Sequence, residues 1–423
     1  MSRAPIEMRL LPDTASVGAD GGLSIGGCRV GDLAAEFGTP LFVYDEQHLR
    51  NRCREAVGSF GTGNVIYATK AFLCKAMAKL AHEERLMLDV ATGGELFVAL
   101  AAGVPASRCV MHGNNKSEDE LRYAIGEGIR HIVVDNFDEI DRIEAIAAGV
   151  ATVRVQVRVT PGIHAHTHEF ISTGQDDSKF GFNLANGDAM KAIERCRSSR
   201  SIDLVGVHFH IGSNVLDADL LGRATGVMVD FFVPLGLSEL TVGGGLGVAY
   251  TASQHAPTMG QWATVVRSAA SSLPRGVELM VEPGRAIVAS GAVTVYRVGS
   301  VKEIPHVREY VAVDGGMSDN MRPMLYGAEY EAFMPAHPTA LRDRPVRLVG
   351  KHCESGDVLI DEAHVPSTLK VGDLLAVPVT GAYGYSMASN YNMVTRPAVV
   401  FVANGDARIV RRRESYADLT LLD

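Results

Sequence analysis

Residues 109–134 read CVMHGNNKSEDELRYAIGEGIRHIVV and contain one complete strand–helix–strand unit. Residues 109–112 and 131–134 are short apolar runs with the length and composition of buried strands. Between them, Ser117 and Glu120 have the spacing of a capping box, in which the two side chains satisfy free amides in the first turn of a helix. This stretch therefore predicts two buried strands joined by a helix.

The same unit recurs along residues 64–285. Eight candidate strands alternate with helical patterns, at residues 65–68, 86–90, 109–112, 131–134, 153–159, 205–210, 240–243 and 279–282. Eight is the number of strands that closes a parallel (β/α)8 barrel. An open doubly wound sheet would alternate in the same way but usually has fewer strands, so we favour the barrel.

The pattern changes after residue 290. Five further candidate strands, at residues 293–298, 310–313, 346–349, 374–379 and 399–402, follow one another without intervening helices. This arrangement is typical of a β domain. The first 40 residues also read as strands and turns, and we expect them to pack with that domain. We therefore assign residues 1–44 to an N-terminal segment that joins the β domain, residues 45–288 to the barrel and residues 289–423 to the C-terminal β domain.

The composition is that of an ordinary globular protein, with 47% apolar and 21% charged residues among 423. The net charge of −9 argues against nucleic-acid and anionic-membrane partners, because both need a basic face. No stretch has the apolar length of a membrane span or of a signal-peptide core, and the six cysteines lack disulfide or metal-finger spacing. We expect a cytoplasmic protein that acts on a small molecule.

Chemically capable side chains recur where the predicted barrel strands end, which is where the active sites of such barrels lie. They are Lys70, Asp89, His208, His210, the glycine run 243–247, Glu282 and Arg285. A lysine can form a Schiff base, glycine amides and an arginine can hold a phosphate, and a carboxylate can keep a pyridine nitrogen protonated. Each has an ordinary structural explanation when taken singly. Lys70 could be a solvated loop lysine, the glycine run a tight turn, and His210 a core histidine. Together they describe what pyridoxal phosphate needs.

Residues 351–357 read KHCESGD and place Cys353 among charged and hydroxyl side chains. Nearby cations favour the thiolate, and a thiol near its titration point can give or take a proton. By itself the run is also compatible with a plain exposed loop.

Several motifs, in order from about residue 38 to residue 392, resemble those of the fold-type III pyridoxal-phosphate decarboxylases, and within that group those of the diaminopimelate decarboxylase branch. They are YATKA at 67–71, HGNNKS at 112–117, HFHIGS at 208–213, GGGLG at 243–247, EPGR at 282–285, DGG at 314–316, CESGD at 353–357 and GAYG at 381–384. The resemblance covers most of the chain.

The resemblance implies a role for each candidate residue toward the cofactor. Lys70 would carry pyridoxal phosphate, His210 would stack on its ring, and Asp89 would orient His210. Glu282 would pair with the ring nitrogen. The remaining cofactor-binding residues would be Ser213, Gly244, Gly245, Gly284 and Arg285 at the phosphate, with Tyr383 at the phosphate or the substrate.

The resemblance also implies a reaction, the decarboxylation of meso-2,6-diaminopimelate at its D-centre to L-lysine and carbon dioxide. Cys353 would donate the proton and, with Glu354, would come from the second subunit of a homodimer. The substrate clamp maps onto Arg285, Arg322, Tyr326, Glu354 and Tyr383. Arg322 suits a distal carboxylate, because its planar fork pairs bidentately, and Glu354 suits the distal ammonium.

Three other functions would share part of this motif set. A related decarboxylase acting on D-ornithine, D-lysine or a carboxyacylated ornithine would share the cofactor residues. A catalytically inactive regulator would have lost Lys70, Cys353 or the glycine run, and none is lost. A racemase would share the barrel and the lysine, but the 353–357 run counts against it. His164, His166 and His168 alternate as metal ligands can, but no carboxylate offers an obvious third ligand, so we predict no metal.

Overall fold

The computed structural model describes residues 3–162 and 177–423. The chain forms two compact units. The first, the β unit, comprises Met1–Asn51, Ala249–His255 and Ile287–Asp423. The second, the barrel unit, comprises Arg52–Val248 and Ala256–Ala286.

The N-terminal part of the β unit contains short strands and one helix. Strands β1 (Ser16–Val17), β2 (Leu23–Ile25) and β3 (Cys28–Arg29) form an antiparallel sheet. Helix α1 (Val30–Phe37) and strand β4 (Leu41–Asp45) follow, and then helix α2 (Glu46–Phe60), which runs on into the residues of the barrel unit.

The barrel unit is built from parallel strands that alternate with helices. The strands are β5 (Ile66–Ala68), β6 (Met87–Val90), β7 (Cys109–Met111), β8 (His131–Val134), β9 (Val153–Thr160), β10 (Phe182–Asn183), β11 (Ile202–Phe209), β12 (Glu239–Val242) and β13 (Glu278–Val281). The helices are α3 (Lys75–Glu83), α4 (Gly93–Ala101), α5 (Glu118–Glu127), α6 (Phe137–Ala147), α7 (Asp188–Ser198), α8 (Ala218–Phe232) and α9 (Met259–Ala269), with the short α10 (Arg285–Val288) after the last strand.

Eight of these strands follow one another around the sheet in chain order, and β10 pairs only with β9. The first and last strands meet through a parallel bridge between Val65 and Val281, and the Val281 amide donates to the Asn64 carbonyl at 2.9 Å. The sheet therefore closes on itself. All eight predicted strands and the barrel are confirmed, and the open doubly wound alternative is wrong.

Local signals explain why the helices begin where they do. Ser117 caps α5: its hydroxyl accepts from the Glu120 amide at 3.2 Å, and the Glu120 carboxylate accepts from the Ser117 amide at 3.0 Å. The predicted capping box is thus confirmed.

Strands β5, β6, β7, β8 and β13 contribute buried apolar side chains to one core cluster, namely Ile66, Met87, Val110, Val133 and Met280.

The β unit continues with strands β14 (Ala292–Ile304), β15 (Arg308–Val313), β16 (Arg344–Val349), β17 (Val358–Val365), β18 (Leu374–Pro378), β19 (Ala398–Ala403) and β20 (Asp406–Arg411), and with the short helix α11 (Arg322–Tyr326). The strand order is β17-β16-β15-β14-β4-β19-β20, with β18 paired to β14. Strand β4 thus lies between β14 and β19, antiparallel to the first and parallel to the second. Chain from both ends of the sequence forms this sheet.

The segment Ala249–His255 groups with the β unit, although the expected barrel range of 45–288 contained it. Hydrogen bonds explain the grouping. The Arg9 guanidinium donates to the carbonyls of Gln254 and Ala252 at 3.0 and 2.5 Å, and the Ala252 amide donates to the Glu331 carboxylate at 2.6 Å.

Among the described residues, no helix is both long enough and apolar enough to cross a bilayer.

Candidate active site

Lys70 stands at the carboxyl end of β5, in a single 3-10 turn over Thr69–Ala71. Its two neighbours are buried, and the Thr69 hydroxyl donates to the Asp89 carbonyl at 2.6 Å. Lys70 itself is exposed. The turn is therefore anchored to β6, and the charge of the Lys70 side chain acts on Asp89 and His210.

A buried polar cluster of the barrel unit lies around Glu282, directly after β13. Glu282 Oε2 accepts a 2.9 Å hydrogen bond from His208 Nε2, and Oε1 lies 2.9 Å from His112 Nε2 in an ion pair. The two imidazole rings meet edge to face, with 4.8 Å between their centroids. Asp89 Oδ1 lies 3.9 Å from His112 Nε2. All four residues are buried, so the barrel brings together groups from the ends of four strands.

The charges of this cluster follow from burial and from the partners. Burial by itself raises the pKa of Glu282, but His112 and His208 bring it well below the usual value, so the carboxylate is ionised. Burial lowers the pKa of His208 to about 4 despite Glu282. For His112 the burial effect is outweighed by Asp89 and Glu282, which raise its pKa. His112 is therefore the more readily protonated of the two histidines.

His210 and Asp89 were both predicted to face the cofactor. Burial, with the charges of Lys70 and Arg158, brings the pKa of His210 well below its usual value, so the ring is neutral. Burial raises the pKa of Asp89, opposed by His112 and Lys70. The Asp89 carboxylate lies 3.9 Å from His112 Nε2, and its orientation of His210 stays a prediction.

The glycines after β12 and β13 lie where no side chain fits. A Cβ on Gly244 would lie 2.1 Å from the Glu282 carbonyl oxygen, and one on Gly245, at φ +110°, would lie 2.5 Å from the Gly212 carbonyl oxygen. A Cβ on Gly284 would lie 2.9 Å from that of Ala68. Because only glycine permits such close approach, the ends of β5, β11, β12 and β13 converge here with their backbones in close contact.

A cation and a hydroxyl lie at two of these strand ends, those of β13 and β11. The Arg285 guanidinium donates to the Ser213 hydroxyl at 2.9 Å, and Arg285 is buried. Glycine backbone, a guanidinium and a hydroxyl are the groups that hold a phosphate. A pyridine ring with an aldehyde and a phosphate thus fits the donor set: Lys70, the ionised and buried Glu282, and this cradle.

Sequence reasoning missed other buried polar groups of the barrel unit. His112 was quoted in a motif but given no role, although it directly follows β7. Arg158 on β9 is buried over the ring of Phe180, 4.4 Å from its centroid, with its Nε 3.8 Å from Asp135 Oδ1. The signal available was position, because all of these residues lie at or near the carboxyl ends of predicted strands.

The remaining candidates lie in the β unit. Arg322 begins α11 and is only 5% exposed. Its guanidinium stacks on the ring of Tyr250, 4.5 Å from the centroid, and donates to the Tyr330 hydroxyl. Tyr326 ends the same helix and is half-buried, as is Tyr383, which adopts a left-handed backbone conformation at φ 61°. Arg322 makes no ion pair with a carboxylate in residues 3–162 and 177–423, and its Nε has no hydrogen-bond partner there.

Cys353 is exposed, whereas the other five cysteines are buried. Its loop is fixed by Asp357, which accepts from the amides of Met317 at 2.7 Å and His352 at 2.8 Å. The Cys353 amide donates to the Asn392 side chain at 3.2 Å. The loop therefore holds an accessible thiol on a rigid base, with the exposed Glu354 beside it.

Metal binding was not predicted, and the histidines that prompted the question, His164, His166 and His168, lie outside the described residues. One group within the described chain has the spacing of metal ligands: the side chains of His112, His208 and Glu282 lie within 4.8 Å of one another. Their contacts with each other explain this spacing, because both histidine Nε2 atoms already face carboxylate oxygens at 2.9 Å.

Comparison with known proteins bears on the fit between the site residues and pyridoxal phosphate. Residues 46–289 match the family described as pyridoxal-dependent decarboxylase, pyridoxal binding domain. A diaminopimelate decarboxylase of Mycobacterium tuberculosis (strain ATCC 25618 / H37Rv) is 48% identical over 426 residues, covering 95% of each chain. One from Bacillus subtilis (strain 168) is 46% identical and covers 98% of each.

A solved structure supports the same relationship. The crystal structure of a diaminopimelate decarboxylase from M. jannaschii in co-complex with L-lysine superposes with a TM-score of 0.90 at 34% identity, over 97% of this chain and 98% of that one. The resemblance stated from the motifs is thereby confirmed, and pyridoxal phosphate, the expected cofactor, is the one that the matching family binds. The chain belongs to the pyridoxal-dependent decarboxylases, within their diaminopimelate decarboxylase family.

Proposed function

We propose that the protein decarboxylates meso-2,6-diaminopimelate at its D-centre and releases L-lysine and carbon dioxide. The observation that carries the substrate assignment is Arg322. Its guanidinium is buried against two tyrosine rings and has no carboxylate partner among the described residues. A buried cation is costly without a counter-charge, so this position favours a ligand that brings its own carboxylate. The relatives named above support the choice.

Bound pyridoxal phosphate would supply an electron sink for the carbanion that loss of carbon dioxide leaves. Lys70 would anchor it, and Glu282 would pair with its ring nitrogen. Ser213, Gly244, Gly245, Gly284 and Arg285 would hold its phosphate, His210 would cover its ring, and Tyr383 would reach the phosphate or the substrate.

Cys353 is the proposed proton donor, acting through Sγ. Its support is an exposed thiol on a loop that Asp357 and Asn392 fix in place. Glu354, exposed beside it, would bind the distal ammonium of the substrate, with Tyr326 and Arg285 completing the clamp. Holding the thiol rigidly would direct the proton to one face of the carbon.

We further propose a homodimer in which Cys353 and Glu354 serve the partner's site. The exposure of both side chains is compatible with that arrangement. Cytoplasmic location is proposed as well, since all six cysteines are free, as is usual in a reducing compartment.

The test is carbon dioxide release from a panel of substrates: meso-diaminopimelate, its L,L isomer, and both enantiomers of lysine and ornithine. We expect release from meso-diaminopimelate and little from the others. Lysine and ornithine lack a distal carboxylate for Arg322, and L,L-diaminopimelate lacks the D-centre at which the proposed reaction takes place. Arg322→Lys should raise KM for meso-diaminopimelate by about tenfold or more, since a lysine cannot pair bidentately. Preference for ornithine or lysine would overturn the proposal.

A further inference from the structure

Glu282 is clamped on both carboxylate oxygens. His208 Nε2 contacts Oε2 and His112 Nε2 contacts Oε1, each at 2.9 Å. The two histidines come from different strand ends, after β7 and within β11, and neither was assigned a role from the sequence. The exposed fractions of His112, His208 and Glu282 are 7%, 1% and 5%. Water therefore has little access to the three side chains.

The two contacts differ in kind. The His208 contact is a hydrogen bond, and because a carboxylate oxygen can only accept, His208 Nε2 must carry the proton. His208 Nδ1, the other ring nitrogen, is buried and has no partner within the described chain, as fits an unprotonated atom of a neutral ring. The His112 contact has the distance of an ion pair but not the angle of a good hydrogen bond.

The surroundings of the two rings account for this difference. His112 faces two carboxylates, Glu282 and Asp89, which raise its pKa against the effect of burial. Burial dominates at His208, whose pKa falls to about 4. His112 is thus the more readily protonated of the two histidines and His208 is neutral, and Arg158 is a further cation that acts on both.

A carboxylate that keeps a pyridine nitrogen protonated must be ionised and must hold one orientation. We propose that His112 and His208 are positioning residues for Glu282: His112 supplies the counter-charge that keeps the carboxylate ionised, and His208 supplies the directed hydrogen bond that fixes its rotamer. This inference rests on the proposed function, in which Glu282 pairs with the cofactor ring.

The test measures cofactor affinity, so it does not depend on turnover. Apoenzyme of each variant is titrated with pyridoxal phosphate and the dissociation constant is read from the visible band. His208→Phe should weaken binding about tenfold or more, as expected for a lost hydrogen bond to a charged group. His208→Gln, which keeps a neutral donor, should return within about threefold of the parent.

His112 should behave differently, because its charge matters. His112→Phe and His112→Gln should both weaken binding, and the glutamine variant should not recover as His208→Gln does. His131→Phe is the matched control: His131 is a fully buried barrel histidine on β8, outside the clamp. Its dissociation constant should stay within about twofold of the parent, and thermal unfolding of each apoprotein checks folding.

The inference is overturned if the phenylalanine variants bind as the parent does, if His208→Gln is as impaired as His208→Phe, or if His131→Phe loses as much affinity. If a phenylalanine variant does not fold, the glutamine variants are each combined with Glu282→Gln. The effects of the histidine and Glu282 substitutions on the dissociation constant for pyridoxal phosphate must then be non-additive. Additive effects would overturn the inference. A parent that binds the cofactor but does not decarboxylate meso-diaminopimelate would refute the proposed function alone.

Discussion

Lys70 is the residue on which the cofactor assignment depends most directly. It is exposed between two buried neighbours, at a turn fixed to β6. Lys70→Ala should therefore leave the fold intact but abolish the covalent link that borohydride reduces. Mass spectrometry after reduction should find the cofactor on Lys70 in the parent and none in the variant. Lys75→Ala, an exposed lysine at the start of α3, is the control and should be labelled as the parent is.

Cys353 makes a second test at the same scale. Cys353→Ala should lower kcat about a hundredfold or more, the usual contribution of a positioned proton donor, and leave cofactor affinity unchanged. Lys351→Ala, an exposed neighbour with a backbone hydrogen bond to Gly315, should keep its activity. Unchanged kcat in Cys353→Ala would refute the assignment of the proton to this thiol.

Single residues also show where sequence reasoning stops. Lys70, Glu282 and Arg285 were predicted because each follows a recognisable apolar run. The contacts of Glu282 were not, because His208 lies 74 residues away in the chain and meets it only when the barrel closes. Strands buried on both faces give no sequence signal for which side chains point inward. The contacts of Glu282 with His112 and His208 could therefore not be predicted from the sequence.

At the level of elements, the strands and helix caps were predictable and the loop geometry was not. The eight strands and the Ser117 cap follow from local composition. The stacking of Arg322 on Tyr250 depends on the segment Ala249–His255, which lies in sequence between barrel strands yet groups with the β unit. No local sequence pattern predicts that this segment groups with the β unit.

The glycine cradle gives a prediction about an element. Gly244→Ala would place a Cβ 2.1 Å from the Glu282 carbonyl oxygen, so backbone must shift. We expect a loss of about 1–3 kcal/mol in the free energy of unfolding and weaker cofactor binding. Gly126→Ala, on the exposed face of α5 with open space around it, should instead stabilise by about 0.5–1 kcal/mol. Chemical denaturation and cofactor titration measure both, and equal stability of Gly244→Ala and the parent would contradict the cradle.

For the whole molecule, the candidate residues fall into two sets. The barrel unit carries Lys70, His210, Glu282 and the phosphate cradle, and the β unit carries Arg322, Tyr326, Cys353, Glu354 and Tyr383. In the proposed reaction, the first set would hold the cofactor, and the second set would bind the substrate and supply the proton. In the proposed homodimer, Cys353 and Glu354 would come from the partner chain.

Subunit mixing tests that proposal. Lys70→Ala should be inactive and Cys353→Ala should keep about a hundredth of the parent activity or less. An equal mixture should regain about a quarter of the parent activity, since half of the dimers are mixed and each has one intact site of two. Mixing two batches of the same variant is the control and should regain nothing. No recovery despite demonstrated subunit exchange would show that each site is built from one chain.

In the proposed reaction, the carboxylate at the D-centre of meso-diaminopimelate leaves and is replaced by a proton. The most direct measurement is turnover in deuterium oxide, followed by chiral chromatography and mass spectrometry of the lysine formed. Loss of carbon dioxide from the D-centre predicts L-lysine with a single deuterium on its terminal CH2 carbon, and none on the carbon that bears the remaining carboxylate. D-lysine, deuterium beside the remaining carboxylate, or no lysine at all would refute decarboxylation at the D-centre.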